Sequence, residues 1–258
     1  MEKESIIRRK GLTEDEQKLK EYFVNHAYLY EQEHMETYKN FPASIEGRYI
    51  CSDLFKETFD IYTTSTETRR KYNYLVHNSA AVLANDLFEE TVTNSTITDC
   101  IFLTGMPGAG KSFFIQSLNL EHQIPEQIMI YEGSIITNTI IEKILKALAN
   151  NKNIHIIVIK PTLELAYQNV LTRIKESGRR ASLETMAQIA SGLYEAVKKL
   201  YAIFKDWIEI GIYTKTQNDE IEIYEGISYI ELLNIGTYEE VLEKLRAIRA
   251  RDNNEIKR

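Results

Sequence analysis

Apolar positions along the chain fall into two alternating rhythms. A stretch of near-helical period starts behind Thr13-Glu14-Asp15-Glu16, a capping-box pattern, and carries Leu19, Tyr22, Phe23 and Tyr30 as far as Phe41-Pro42. One long amphipathic helix is predicted there. Residues 48–53 then read as a short strand ending in a carboxylate, and Tyr72, Leu75, Val76, Leu83 and Leu87 mark a second long helix. Short apolar runs of strand length follow at 100–103, 128–131, 154–159, 208–212 and 221–224. Between them lie segments of helical period: Ile140, Ile141, Ile144, Leu145 and Leu148, then Tyr167, Val170, Leu171 and Ile174 with Gly178 at the C-cap. Met186, Ile189, Leu193, Val197, Leu200 and Phe204 make the cleanest amphipathic helix, and Thr237-Tyr238-Glu239-Glu240 caps the last. Strands separated by helices predict an α/β fold: a mainly parallel sheet flanked by helices, with its ligand site at the carboxyl ends of the strands.

Composition narrows the function classes. At 258 residues and 43% hydrophobic, the chain can bury one medium α/β core with a helical appendage to spare. With 31 basic against 38 acidic residues, the net charge of -7 supplies no global field for a polyanion, so nucleic acid is not an expected partner. Two cysteines, Cys51 and Cys100, cannot build a disulfide framework or a metal site, which fits a reducing, cytoplasmic setting. No run of about 18 apolar residues occurs, so no membrane association is expected. Residues 1–45 are read as an N-terminal helical extension and 46–258 as the main domain.

The chemistry enters at Gly105-Met106-Pro107-Gly108-Ala109-Gly110-Lys111-Ser112, which satisfies G-x-x-x-x-G-K-[ST] between a predicted strand and a predicted helix. Glycines let backbone N–H groups face a phosphate, and the following helix N-terminus adds partial positive charge. Lys111 then reaches the β- and γ-phosphates, and Ser112 offers a hydroxyl to Mg²⁺. The expected ligands are ATP and Mg²⁺, contacted by Gly105, Pro107, Gly108, Ala109, Gly110, Lys111, Ser112 and Phe113. Hydrolysis, switching and transfer all use this cradle, so the acceptor side must decide among them.

Four further segments resemble a known family, the zeta toxins, which are P-loop kinases of UDP-N-acetylglucosamine and related nucleotide sugars. Tyr131-Glu132-Gly133-Ser134 resembles the family's Glu-Gly-Thr segment, and Ile159-Lys160-Pro161-Thr162-Leu163-Glu164 resembles the start of its next helix. Arg173 and Gly178-Arg179-Arg180-Ala181 are similar to the arginine pair that contacts ATP phosphates; the resemblance favours Arg180 of the adjacent two. Ser52-Asp53-Leu54-Phe55-Lys56 resembles the segment whose aspartate is the general base. The likeness runs from about residue 47 to the end of the chain, with one departure: the aspartate segment comes before the P-loop instead of after it, as in a circular permutation. If strand 48–53 joins the same parallel sheet, Asp53 faces the cleft regardless.

The resemblance implies a kinase in which Asp53, Lys111, Arg173 and Arg180 carry transfer to a nucleotide sugar, with a small helical antitoxin as partner. Glu132 is assigned to acceptor binding, and His77 and Asn78, polar positions on an otherwise apolar helix, to the sugar pocket. On the residues alone, Asp53 is equally suited to capping a helix, and Arg173 to a solvated charged face. Arg179 and Arg180 fall on a short loop where a lid might close over phosphate. Two other functions remain open: a P-loop kinase of a different hydroxyl compound, such as an antibiotic or polynucleotide end, and a nucleotide-dependent switch.

Overall fold

The structure, a computed structural model, is described for residues 11–120, 124–136, 138–215 and 221–255. Helices α1 (Glu14–Leu29) and α2 (Glu31–Lys39) open it, followed by strand β1 (Tyr49–Cys51), the single turns α3 (Ser52–Phe55) and α4 (Asp60–Thr63), and the long α5 (Thr66–Val92). Then come β2 (Asp99–Thr104), α6 (Lys111–Leu120), β3 (Ile128–Glu132), α7 (Thr139–Ala149), β4 (Asn153–Pro161) and α8 (Leu163–Ser177). The chain ends with α9 (Leu183–Phe204), β5 (Ile208–Lys215), β6 (Ile221–Glu225) and α10 (Tyr238–Glu255).

The expected α/β fold is what forms. Six strands lie in the order β1-β3-β2-β4-β5-β6; the first five are parallel and β6 closes one edge antiparallel to β5. The segment ahead of the P-loop therefore does join the sheet, as an edge strand paired with β3 in the register Cys51↔Glu132. Since Leu103 of β2 is also opposite Glu132, the carboxyl ends of β1, β3 and β2 finish level with one another.

Strand side chains alternate between two cores, which is why the parallel strands read as near-continuous apolar runs. Ile50, Cys100, Phe102, Met129, Ile156, Val158 and Ile212 point to one face, packed with Leu83, Leu87 and Phe88 of α5, Ile144 of α7 and Val197 and Leu200 of α9. Phe23 and Ala27 of α1 and Met35 and Tyr38 of α2 belong to that same cluster. Tyr49, Cys51, Leu103, Ile130 and Ile159 point the other way, toward Ile115 of α6, Ala166 and Val170 of α8 and Leu245 of α10.

Two local expectations need correction. The opening helix is not continuous: at Tyr30 the backbone leaves helical geometry (φ -119°, ψ 31°), although the Thr13 capping box forms as read. No Gly or Pro marks the break. Packing decides it, because the turn lets His34, Met35 and Tyr38 face the core while Tyr22 and Tyr30, expected on the apolar face, stay exposed. Strand β1 likewise stops two residues early, and Asp53 lies in the first turn of α3.

Candidate functional site

The cradle is built where β2 meets α6. Residues 105–110 turn tightly, with the Ala109 N–H donating to the Met106 carbonyl at 3.0 Å. Gly108 is required twice over: its φ is +80°, and a Cβ there would come within 2.1 Å of the Ala166 carbonyl of α8. Lys111 folds back over this turn, its Nζ donating to the carbonyls of Gly105 (3.0 Å) and Met106 (3.4 Å) and lying 3.8 Å from Glu132 Oε1. Ser112 and Phe113, in the first turn of α6, are exposed.

Beyond β3, the front of the chain delivers a carboxylate to the same edge. The Tyr38 hydroxyl donates to the Tyr49 carbonyl (2.8 Å) and accepts from the Cys51 N–H (2.9 Å), fastening α2 to the last turn of β1. Asp53 then emerges at the carboxyl end. Its Oδ1 accepts from Lys56 Nζ at 2.7 Å and its Oδ2 from Arg173 at 2.6 Å. Burial would raise its pKa, but Lys56, Arg173 and Arg179 outweigh that and hold the carboxyl well below the usual aspartate range. The capping alternative drops out, because the residue at the α3 N-cap is Cys51 and the Asp53 oxygens are engaged by cations.

The remaining assigned residues gather around these two features. Glu132, at the end of β3, accepts a 2.5 Å hydrogen bond from the Tyr49 hydroxyl while facing Lys111. Burial, with Cys51 and Glu132 nearby, pushes the Tyr49 pKa far up, so that hydroxyl keeps its proton and donates it. His77 and Asn78 of α5 stand on the cleft wall. Although the His77 ring is reached by solvent, the surrounding protein and the Lys56 ammonium lower its pKa, which favours a neutral imidazole.

The two adjacent arginines separate cleanly. Arg180 is exposed and lines the cleft, whereas Arg179 is turned inward onto Glu57 (2.5 Å) and the Asp53 carbonyl (3.1 Å). Asp53, Lys111, Glu132, Arg173, Arg180, His77 and Asn78 thus all line one cleft of about 1060 Å³, together with Gly105, Pro107 and the buried Lys56. Sequence reasoning gave no part to Tyr49, Lys56 or Glu57. Lys56 had a signal, three residues beyond Asp53 in what becomes a helical turn; Tyr49 and Glu57 had none.

Chemically, the cleft brings a glycine turn, Lys111 and Arg180 together with an ionised carboxylate. This suits a polyphosphate bound beside a hydroxyl compound. The Ser112 hydroxyl and Glu132 carboxylate are hard oxygen donors of the kind Mg²⁺ prefers. Among the described residues no group of three or more His, Cys, Asp or Glu could hold a metal ion.

No family model matches this chain, and no curated protein matches it either. Among solved structures it is similar to a chain from the PezAT chromosomal toxin–antitoxin system of Streptococcus pneumoniae, at 15% sequence identity and a TM-score of 0.42, covering 66% of this chain and 97% of that one. Among the described residues, no helix is long and apolar enough to cross a membrane.

Proposed function

We propose that the chain is an ATP-dependent kinase that transfers the γ-phosphoryl group to a hydroxyl of a nucleotide sugar such as UDP-N-acetylglucosamine. One observation carries this reading: Asp53, from the front of the chain, and Lys111, from its middle, line one cleft at the carboxyl ends of two parallel strands, β1 and β2, that flank β3. In the transfer, the acceptor oxygen forms a bond to phosphorus, the bond from the γ-phosphorus to the β–γ bridging oxygen breaks, and ADP departs with that electron pair. The acceptor's proton goes to Asp53, an ionised carboxylate that becomes a stronger base once a cation partner turns from it to phosphate.

Lys111 binds the β- and γ-phosphates, and Arg173 and Arg180 stabilise the negative charge that develops on the transferring group. Ser112 and Glu132 would hold Mg²⁺, which neutralises phosphate charge when bound; Glu132, His77 and Asn78 orient the acceptor. For Asp53 to act, Arg173 must exchange its 2.6 Å contact with Asp53 Oδ2 for one with phosphate, which ties release of the base to arrival of the nucleotide. The cleft volume, at the upper end of the range for small-ligand pockets, favours a large acceptor.

In this reading residues 46–258 form the catalytic body and residues 1–45 an appended helical element. By the family resemblance the kinase would be the toxin of a toxin–antitoxin pair, restrained by a small helical antitoxin that obstructs the nucleotide. A nucleotide-dependent switch is the competing reading, favoured by the double cation grip on Asp53.

Asp53→Asn separates the two. A kinase loses transfer by a factor on the order of 10² to 10⁴ while ATP affinity is retained, and Lys111→Ala loses both. An unchanged transfer rate in Asp53→Asn, read by mass spectrometry across a panel of nucleotide sugars, would falsify the base assignment. ATP consumption that no acceptor accelerates would leave the switch.

A further inference from the structure

The short loop carrying Arg180 has the composition of a mobile lid, yet its neighbours are fastened. Gly178 ends α8 in the left-handed region (φ +73°), pressed so closely on the start of α5 that a Cβ would fall 2.2 Å from the Thr66 carbonyl. Arg179, the next residue, runs under the cleft floor to two acceptors of the α3 region: the Asp53 carbonyl at 3.1 Å and Glu57 Oε1 at 2.5 Å. The other Glu57 oxygen, Oε2, accepts twice from Arg69 of α5, at 3.1 and 2.9 Å.

One carboxylate thereby joins its own turn to the nearby α5 and to the distant Arg179 loop, and each ion pair is largely shielded, with side-chain exposures of 19 to 23%. Burial would lower the pKa of Arg179, but Asp53, Tyr62 and Glu57 raise it, so its charge is secure. Shielded, charge-assisted pairs of this kind fix geometry better than exposed ones.

We infer that Glu57 is a positioning residue: through Arg179 it locks the Arg180 loop to the Asp53 segment, so that the phosphate-facing cation and the base move as one body. The inference rests on the kinase reading for its effect on rate, but not for the mechanical tie. Glu57 is not among the residues that line the cleft. It ties the segment that carries Asp53 to the loop that carries Arg180, and phosphoryl transfer is steep in the placement of such groups.

The experiment compares wild type with Glu57→Gln and, should that variant fold poorly, Arg179→Lys. Amide exchange by mass spectrometry on the full chain is expected to rise at least fivefold in residues 178–182 and 52–55 together, with 105–112 unchanged. Transfer to UDP-N-acetylglucosamine is expected to lose tenfold or more in kcat, with KM for ATP within twofold. Exchange that stays at the wild-type level, or rises in only one of the two segments, overturns the tie. A coupled rise in exchange with kcat unchanged overturns the positioning role. Wild-type protein that phosphorylates no acceptor would instead take down the kinase reading, and the paired exchange would still decide whether Glu57 joins the two segments.

Discussion

The two walls of the cleft are held by different means. On the Asp53 side, Phe55 stacks on Tyr38 at 3.7 Å, Phe59 meets Phe23 edge-on at 5.5 Å, and Lys56 is almost wholly enclosed. On the P-loop side, α6 buries Ile115 among its described side chains, Phe113 is 67% exposed, and Lys111 rests on the carbonyls of its own loop. Folding itself therefore fixes the carboxylate, whereas the start of α6 owes little to the core and gains most from whatever binds there. The Asp53 wall is held by core packing; the P-loop wall is held far less.

The largest effect that would break this contrast comes from Phe55→Ala. Removing a fully buried ring from the Asp53 wall should cost roughly 3–5 kcal/mol of stability, read as a shift in the urea midpoint. A loss under about 1 kcal/mol would mean that the wall is not held by its aromatic packing.

A smaller effect lies in pH. The Thr58 hydroxyl donates to the Phe55 carbonyl at 2.8 Å, so it accepts from His34 Nδ1 at 2.7 Å; His34 Nε2 then accepts from His26 Nδ1 at 2.9 Å. Burial first, and His26 second, lower the His34 pKa to about 4 from 6.5. The folded protein thus binds fewer protons than the unfolded chain between those values. The stability this group contributes is complete above pH 6.5 and is lost as pH falls toward 4, on the order of 2 to 3 kcal/mol. Denaturation midpoints at pH 7.5 and 4.5 should differ by that much more in wild type than in His34→Gln; equal differences would detach His34 from the wall.

The smallest effect sharpens the comparison from the other side. Phe113→Ala, at an exposed position, should change stability by no more than about 0.5 kcal/mol, measured by the same melts. A loss of 2 kcal/mol would show that α6 is anchored as firmly as its counterpart.

How much of this was legible in the chain follows from contiguity. The phosphate cradle is eight consecutive residues between a strand and a helix, and the central strands announced themselves as apolar runs because both faces of the sheet are covered there. The break at Tyr30 carries no Gly or Pro and arises from the packing of α2 against α5 and the α3 region, so periodicity ran straight through it. Asp53 was visible as a carboxylate after a strand, with Lys56 three residues on, but its pairing with Arg173 was not: Arg173 lies 120 positions away, and Arg179 meets Glu57 across 122. The contacts that fasten Gly178 and Arg179 were illegible for the same reason, since their partners belong to α5 and the α3 region.

The sheet order also fixes a sequence of events in biosynthesis. Strand β1 hydrogen-bonds to β3 and to no other strand, yet β3 is made only after the entire P-loop and the start of α6 have been synthesised. Until then the three residues of β1, and the Arg48 side chain that later donates to the Pro125 and Ile128 carbonyls, have no sheet to join. A nascent chain stalled short of β3 therefore has neither wall of the cleft in place, because β1 and β2 both pair through β3 and Gly108 seats on the Ala166 carbonyl of α8.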